Sequence, residues 1–527
     1  MPTVPIDRLP ADLPAPEVLI IGAGAVGIAM AVDLARRGVP VLVLEGGPAD
    51  PPMDWERRNE GRSLGRPFDG LKTGRMQALG GTTRLWGGQL VPFGPRDFVG
   101  EPALGKPAWP IAYADFVPWV DAAYDLLGVP AGGRDTVALW SKATGRADAL
   151  GGDLHIGMNI WLNQPDFAQG FARDLADLPH LTVVTGARVR GLHFGAQGEV
   201  SAVEVQSANA PPRRFSAPHV VLANGTFEIV RLLLSTAATR PDCGFADNRH
   251  IGRWFVDHLH GLCGRFSGEN RALLSQIFDN IYVDGTKYNV KIRAGDALRA
   301  RAGIGNVAAT LNAPLGLRAT LRDLKGLAGR ILAGDGRGAL ATIRQSLRLA
   351  AVLVPVVWRY VVDRRSSTIL GREVWLGLEL EQVPTDKSYI TLDPDYPPET
   401  APVLLHWDLD GVELRTARVM AEEVAARFAE GGFGHVEIDP RLLAEDPAWL
   451  DQCHDAKHQI GGARMAASAA EGVVDADCRV FGTQNLFIAG AAVFPSGSFA
   501  NPTLSAIALS LRLSAHLFGR VQDGDAG

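Results

Sequence analysis

Residues 18–45 read VLIIGAGAVGIAMAVDLARRGVPVLVLE, and their pattern decides the fold. Val18-Leu19-Ile20-Ile21 is a short apolar run, rich in β-branched residues, of the kind buried on both faces of a parallel sheet. Gly22-Ala23-Gly24-Ala25-Val26-Gly27 follows at once. Apolar residues then recur at helical spacing from Ile28 to Arg36, and Gly38 closes the helix in a left-handed conformation. A second buried strand, Val41 to Leu44, ends on Glu45. The glycines serve different physical ends. Gly22 permits the tight turn, Gly24 lets backbone N–H groups approach a pyrophosphate, and Gly27 lets helix and strand pack closely. The phosphates would sit at the positive end of the helix. Glu45 stands 18 residues beyond Gly27, where a carboxylate accepts ribose hydroxyls. The glycine pattern by itself also occurs as an ordinary turn in a β–α unit. Here strand, glycines, helix, second strand and terminal acid agree, and together they imply a dinucleotide. The acid disfavours a 2′-phosphate, which leaves FAD or NAD.

The chain's 527 residues suffice for two sizeable cores, with discontinuous domains allowed. A formal charge of −6 gives no global attraction to nucleic acid, so no nucleic-acid partner is expected. Cys243, Cys263, Cys453 and Cys478 form no C-x-x-C pair; neither a zinc site nor a disulfide framework is indicated, and a reducing, cytoplasmic location fits best. The first residues, MPTVPIDRLPADLPAPE, have prolines and acids but no apolar core, so they do not read as a signal peptide. The apolar stretch Leu349 to Val357 is too short to span a bilayer.

Beyond Glu45, residues 46–66 read as loop. The run Gly74 to Gly88 follows, with Arg75, Gly81, Thr82 and Trp86 in a glycine-dense setting that suits backbone lying against a flat ligand; a surface turn with one core tryptophan has the same composition. Leu181 to Val189 reads as a strand, Gly191 to Val205 as a hairpin, and His219 to Leu222 as a buried strand entering the Ala223–Thr226 turn and a helix, Phe227 to Ser235. Val374–Leu380, Tyr389–Leu392 and Val403–Trp407 have the character of antiparallel strands, with a helix over Val412 to Phe428. Near the C-terminus, Asn485 to Ala492 reads as a strand ending in a small-residue turn at Gly490 and Ala491. Asn501-Pro502-Thr503 then opens an apolar helix, with Asn501 as N-cap and Pro502 at its first position. That helix start is a second anion-friendly site.

These stretches resemble the glucose–methanol–choline (GMC) oxidoreductases, flavoproteins that oxidise alcohols and sugars. The likeness takes in Gly22 to Glu45, the Arg75 to Gly88 loop, Ala187-Arg188-Val189, Val220 to Gly225, Gly252 to His258, Glu381 to Pro384, and nearly all of His458 to Leu517. It implies an α/β protein with a discontinuous Rossmann-like FAD-binding domain (residues 1–100, 178–262 and 444–527). A substrate domain of antiparallel sheet and helices (101–177 and 263–443) completes it. It also implies FAD, with the isoalloxazine ring between the Gly80–Trp86 loop and the Asn501 turn, and Val189, Ala223, Gly490 and Ala491 among the residues against the cofactor. The C-terminal pattern is most similar to the pyranose oxidase branch: His458-Gln459-Ile460-Gly461-Gly462-Ala463-Arg464-Met465, then Asn501 43 residues after His458. In that branch such a histidine and asparagine line the substrate side of the flavin, giving His458 as base and Asn501 as partner of the substrate oxygen. The chemistry suits them, because oxidising C–OH to C=O sends a proton to a group titrating near neutrality while a neutral amide holds the alcohol. His258 reads instead as a remote interdomain hydrogen-bonding residue, and His454 as a nearby decoy. Asp451 to His454 has no second pair that would make a metal site.

One departure from that branch matters. Its flavin-linking histidine precedes the tryptophan, whereas Leu85 precedes Trp86 here, so the FAD is expected to be non-covalent. Dehydrogenase and oxidase readings stand level, with oxygen, a quinone or another carrier as acceptor. The substrate expected is a secondary alcohol of a sugar or glycoside; a sterol or polyol, a lyase with a redox-idle flavin, and a flavin-binding protein without catalysis are the rivals. Residues 315–365 carry ten Arg and Lys against three Asp, interleaved with apolar clusters. This fits either a solvated basic face or peripheral contact with an anionic membrane.

Overall fold

The computed structural model describes residues 3–10, 13–206, 211–313, 358–367 and 371–524. Val18–Ile21 forms the strand expected, at most 3 % exposed, and each such apolar side chain contributes roughly 1.5–3 kcal/mol by leaving water. It pairs in parallel with Val41–Glu45 on one side and His219–Leu222 on the other. The full sheet is six-stranded and wholly parallel, in the order Val4–Pro5, Leu181–Thr185, Val41–Glu45, Val18–Ile21, His219–Leu222, Leu486–Ile488. Strands from both ends of the chain thus share one sheet, and the helices Ala25–Arg36 and Pro502–Gln522 pack together on it.

A ten-stranded sheet forms a second layer, built on antiparallel pairs such as Leu154–Trp161 with Thr286–Ala294 and His258–Ser267 with Trp375–Glu381. Residues 89–90, 258–262 and 454–455 pair within this second sheet. The partition into the two domains drawn from the sequence is retained as a proposal.

Several elements depart from the sequence expectations for identifiable reasons. The run Leu181 to Val189 is two strands, broken at Gly186 (φ +71°) where the Gly186 and Ala187 N–H groups bond back to the Gly47 and Glu45 carbonyls. The expected loop 46–66 contains a short strand, Gly61–Ser63, which runs parallel to Val403–His406. That partner and Tyr389–Leu392 therefore belong to a separate three-stranded sheet, and of the three expected antiparallel strands only Trp375–Glu381 joins the large one. Helix Val412–Glu430 and helix Thr226–Thr239 stand where expected, each longer by a turn or less at its ends. Most of residues 315–365 lie outside the described residues. At the described end, Trp358, Val361 and Val362 are exposed, whereas Arg359 pairs with Asp279 and Arg365 bonds the Gln276 carbonyl. Among the described residues no helix is long and apolar enough to cross a membrane.

Candidate functional site

A cavity of about 680 Å³ runs along the carboxyl ends of the parallel strands and reaches the face of the antiparallel sheet. Its floor is the Gly22–Val26 turn. A Cβ on Gly22 (φ +106°) would stand 2.6 Å from the Asn224 Cα, so only glycine lets the turns after Val18–Ile21 and His219–Leu222 meet there. A Cβ on Gly27 would stand 2.0 Å from the Gly22 carbonyl oxygen; this glycine serves packing and does not itself line the cavity. Both helices that point into the cavity, Ala25–Arg36 and Pro502–Gln522, lack a side-chain cap at their N-termini. Their first-turn N–H groups are therefore left for a ligand. Asn224 adds a buried carbonyl oxygen, Oδ1, with no hydrogen-bond partner among the described residues.

Glu45 lines the cavity, 7 % exposed, with one oxygen accepting the Ala23 N–H at 2.8 Å and the other the Gly47 N–H at 2.7 Å. Burial raises its pKa and these two N–H bonds oppose the rise. Each oxygen keeps a lone pair for a ribose hydroxyl. The Gly80 N–H bonds the Ala23 carbonyl, setting Gly81, Thr82 and Trp86 on the opposite wall, and the Trp86 indole N–H is anchored on the Pro165 carbonyl at 2.8 Å. Val189, Ala223, Gly490, Ala491, Asn501, Pro502 and Thr503 line it as well.

Arg75 stands apart from this set. It lies behind the wall, 8 % exposed, with its guanidinium held by the Leu71 carbonyl, Glu228 and the Glu60 carbonyl. Arg75 supports the site through Glu228. Burial pushes the Glu228 carboxyl up, but Arg231, Arg75 and Arg188 together hold it down at about 2. Arg188, Glu228 and Arg231 face the cavity, and Arg231 has a buried Nη1 without a hydrogen-bond partner among the described residues, a ready donor for a phosphate or hydroxyl. Sequence reading missed this trio; Arg188 beside Val189 and Glu228 in the first turn after the Ala223 turn were the available signals.

At the far end stand His458 and Asn501. The segment Gly461 to Met465 bonds alongside Ala491 to Val493, which sets the register that brings the two together. The Asn501 amide Nδ2 lies 2.9 Å from His458 Nε2. Asn501 precedes the helix as expected, but its side chain turns to His458 instead of capping. Asp257, fully buried, receives the His458 N–H on both carboxylate oxygens at 3.0 Å and the His258 N–H at 2.6 Å. The expectation for His258 needs correction: it is not remote, for its Nδ1 lies 3.0 Å from His458 Nδ1. The pairing of Leu259–His260 with His454–Asp455 produces that contact. His260, two residues on and so on the same strand face, also lines the cavity, whereas His454 stays outside it. Burial, with His260 and Lys291 nearby and Glu379 opposing, lowers the His458 pKa to about 3.

Glycine turn, uncapped helix starts, terminal acid and a long, partly polar cavity define a flavoprotein of the FAD-binding kind, and the residues present fit that cofactor. Residues 384–510 match the family model described as GMC oxidoreductase. A 6'''-hydroxyparomomycin C oxidase from Streptomyces lividus is 26 % identical over 305 residues, covering 48 % of this chain and 54 % of that protein. The match therefore spans about half the length of that relative. Pyridoxine 4-oxidase from Mesorbium loti shares the fold with a TM-score of 0.60 at 16 % identity, over 96 % of this chain and 99 % of that one. A formate oxidase does so with a TM-score of 0.58 at 16 % identity, over 98 % and 100 %. Residues 384–510 are thus similar to the GMC oxidoreductases, and the fold over nearly the whole chain is the one those two oxidases share.

Proposed function

We propose that this chain oxidises a secondary alcohol of a sugar or glycoside to a ketone, with non-covalent FAD, His458 as base and Asn501 as partner of the substrate oxygen. The observation that carries the reading is the His458–Asn501 pair, 2.9 Å apart on the cavity wall. Bound FAD supplies the acceptor for the hydride that leaves the alcohol carbon. His458, held neutral by its surroundings, takes the hydroxyl proton on Nε2, the nitrogen that Asn501 faces. Asn501 donates to the substrate oxygen without competing for that proton.

The substrate class draws on the cavity's polar lining. Gln89, His260, Lys457 and Gln459 face the same space as His458, a wall that suits a polyhydroxylated substrate and would strand polar groups against a sterol. The Streptomyces relative, named as oxidase of a hydroxyparomomycin, supports a hydroxyl-bearing glycoside. The spacing of His458 and Asn501 supports the pyranose oxidase-like branch, and the oxidases among the relatives support oxygen as final acceptor, with a quinone or other carrier as the alternative. Anaerobic mixing with panels of sugars, glycosides, polyols and sterols tests this reading. Bleaching of the yellow flavin band by a sugar or glycoside is expected. Bleaching by a sterol alone, or product formed with the yellow band unchanged as in a lyase, would contradict it.

A further inference from the structure

His458 uses both ring nitrogens, and the partner on each side fixes where its proton sits. An amide NH₂ can only donate, so Asn501 Nδ2 at 2.9 Å requires the lone pair on His458 Nε2. A neutral imidazole carries one N–H, which is then on Nδ1, directed at His258 Nδ1 3.0 Å away. His258 Nδ1 must accept, so its own proton is on Nε2. That atom is buried with no hydrogen-bond partner among the described residues, and the whole residue is 1 % exposed. The opposite arrangement would put an N–H on His458 Nε2 against the Asn501 NH₂, two donors face to face. An unsatisfied buried N–H is costly to keep, and its persistence beside a reacting group points to use.

We propose that His258 is a positioning residue for His458. It takes the Nδ1–H, fixes the tautomer that leaves Nε2 unprotonated, its lone pair on the Asn501 amide until the alcohol takes that place, and stays uncharged while His458 carries the alcohol's proton. The inference rests on the reading of His458 as base. In the step itself, the alcohol O–H breaks and its proton goes to His458 Nε2, the carbon's hydride goes to FAD, and the carbonyl forms. The resulting imidazolium still has its Nδ1–H received by His258. The choice of imidazole over carboxylate at this place has a consequence. A carboxylate would hold the proton on His458, whereas a neutral acceptor orients the ring and leaves it a free base in mildly acid solution.

The other charged and titratable groups around the pair do not supply a counter-charge aimed at Nδ1. Asp257 is spent on the backbone N–H groups of His258, Ala456 and His458, and Asp455 on those of Asp69 and Gly70. Glu379 is paired with Lys291, two strands away across Val307–Asn312. His260 and the exposed His454 lie ring to ring, 5.6 Å apart. Burial together with His458 and His260 lowers the His258 pKa, in keeping with a neutral acceptor.

Two measurements on the FAD-bound protein test the proposal. With ¹⁵N-labelled histidine, side-chain shifts should show His458 protonated on Nδ1 and bare on Nε2; a proton on Nε2 would overturn it. The second is the pH profile of anaerobic flavin reduction. Wild type should lack an acid limb near the ordinary histidine pKa of about 6.5. His258→Asn, whose Oδ1 can still receive the Nδ1–H, should keep that profile, and His258→Leu should slow reduction about 10–100-fold at every pH. His258→Asp should introduce an acid limb, since the new carboxylate stabilises the imidazolium. Wild-type rates in His258→Leu with a wild-type profile in His258→Asp would overturn the positioning role, provided His458→Ala is slow. A fast His458→Ala would overturn the base reading instead. His258→Asn, with its FAD spectrum as a check of folding, keeps the test decisive should His258→Leu fail to fold.

Discussion

Glu45 shows how one residue can serve fold and site together. Its carboxylate ties the Ala23 and Gly47 N–H groups across the mouth of the glycine turn and still borders the cavity. Glu45→Ala is expected to weaken FAD binding by about 1.5–3 kcal/mol, the range for hydrogen bonds to a charged group. Titration of apoprotein with FAD checks this, and an unchanged dissociation constant would remove Glu45 from the ribose site. Residues of this kind were legible in the sequence because their signal is local: strand, glycines, helix and acid fall within 28 consecutive positions. His258 was not legible. Its partner His458 is 200 residues away and meets it only through strand pairing and the Asp257 bonds, which no local pattern encodes. Arg75 misled for the converse reason, since a conspicuous arginine beside a glycine-rich loop has no mark to say that its guanidinium turns to Glu228.

Among the elements, the Gly80–Gly88 loop carries the sharpest consequence. Leu85 lines the cavity next to Trp86 and has no nucleophilic or basic atom that could bond a flavin. FAD should therefore leave with the supernatant when the holoprotein is precipitated with acid; flavin retained in the washed precipitate would contradict a non-covalent cofactor. The long helices were read with nearly correct ends because caps and periodicity announce them. The Gly61–Ser63 strand was hidden because three residues hold no usable period and its partner, Val403–His406, lies far along the chain. The start of the C-terminal helix was located from Asn501-Pro502, yet the use of the Asn501 amide was not, because a cap and a ligand of His458 look the same in sequence.

At the scale of the whole molecule, one sheet gathers strands from both ends of the chain and lays two helix starts and a polar wall around a single cavity. Residues 315–365 stand outside that account. Arg359 and Arg365 are spent on the protein itself and Trp358, Val361 and Val362 are exposed, while seven of the segment's ten cations lie outside the described residues. At about 1 kcal/mol for each cation near an anionic surface, half of them would hold the protein on a membrane at modest salt. The membrane reading predicts sedimentation with anionic but not neutral vesicles, reversed by high salt; negligible binding to both would leave a solvated basic face. The central claim is that His458 takes the proton as the alcohol is oxidised. Single-turnover flavin reduction, followed anaerobically in wild type and in His458→Ala at equal FAD occupancy, tests it most directly. A slowing of about 10²–10⁴-fold is expected for loss of a positioned acid–base group, and equal rates would contradict it.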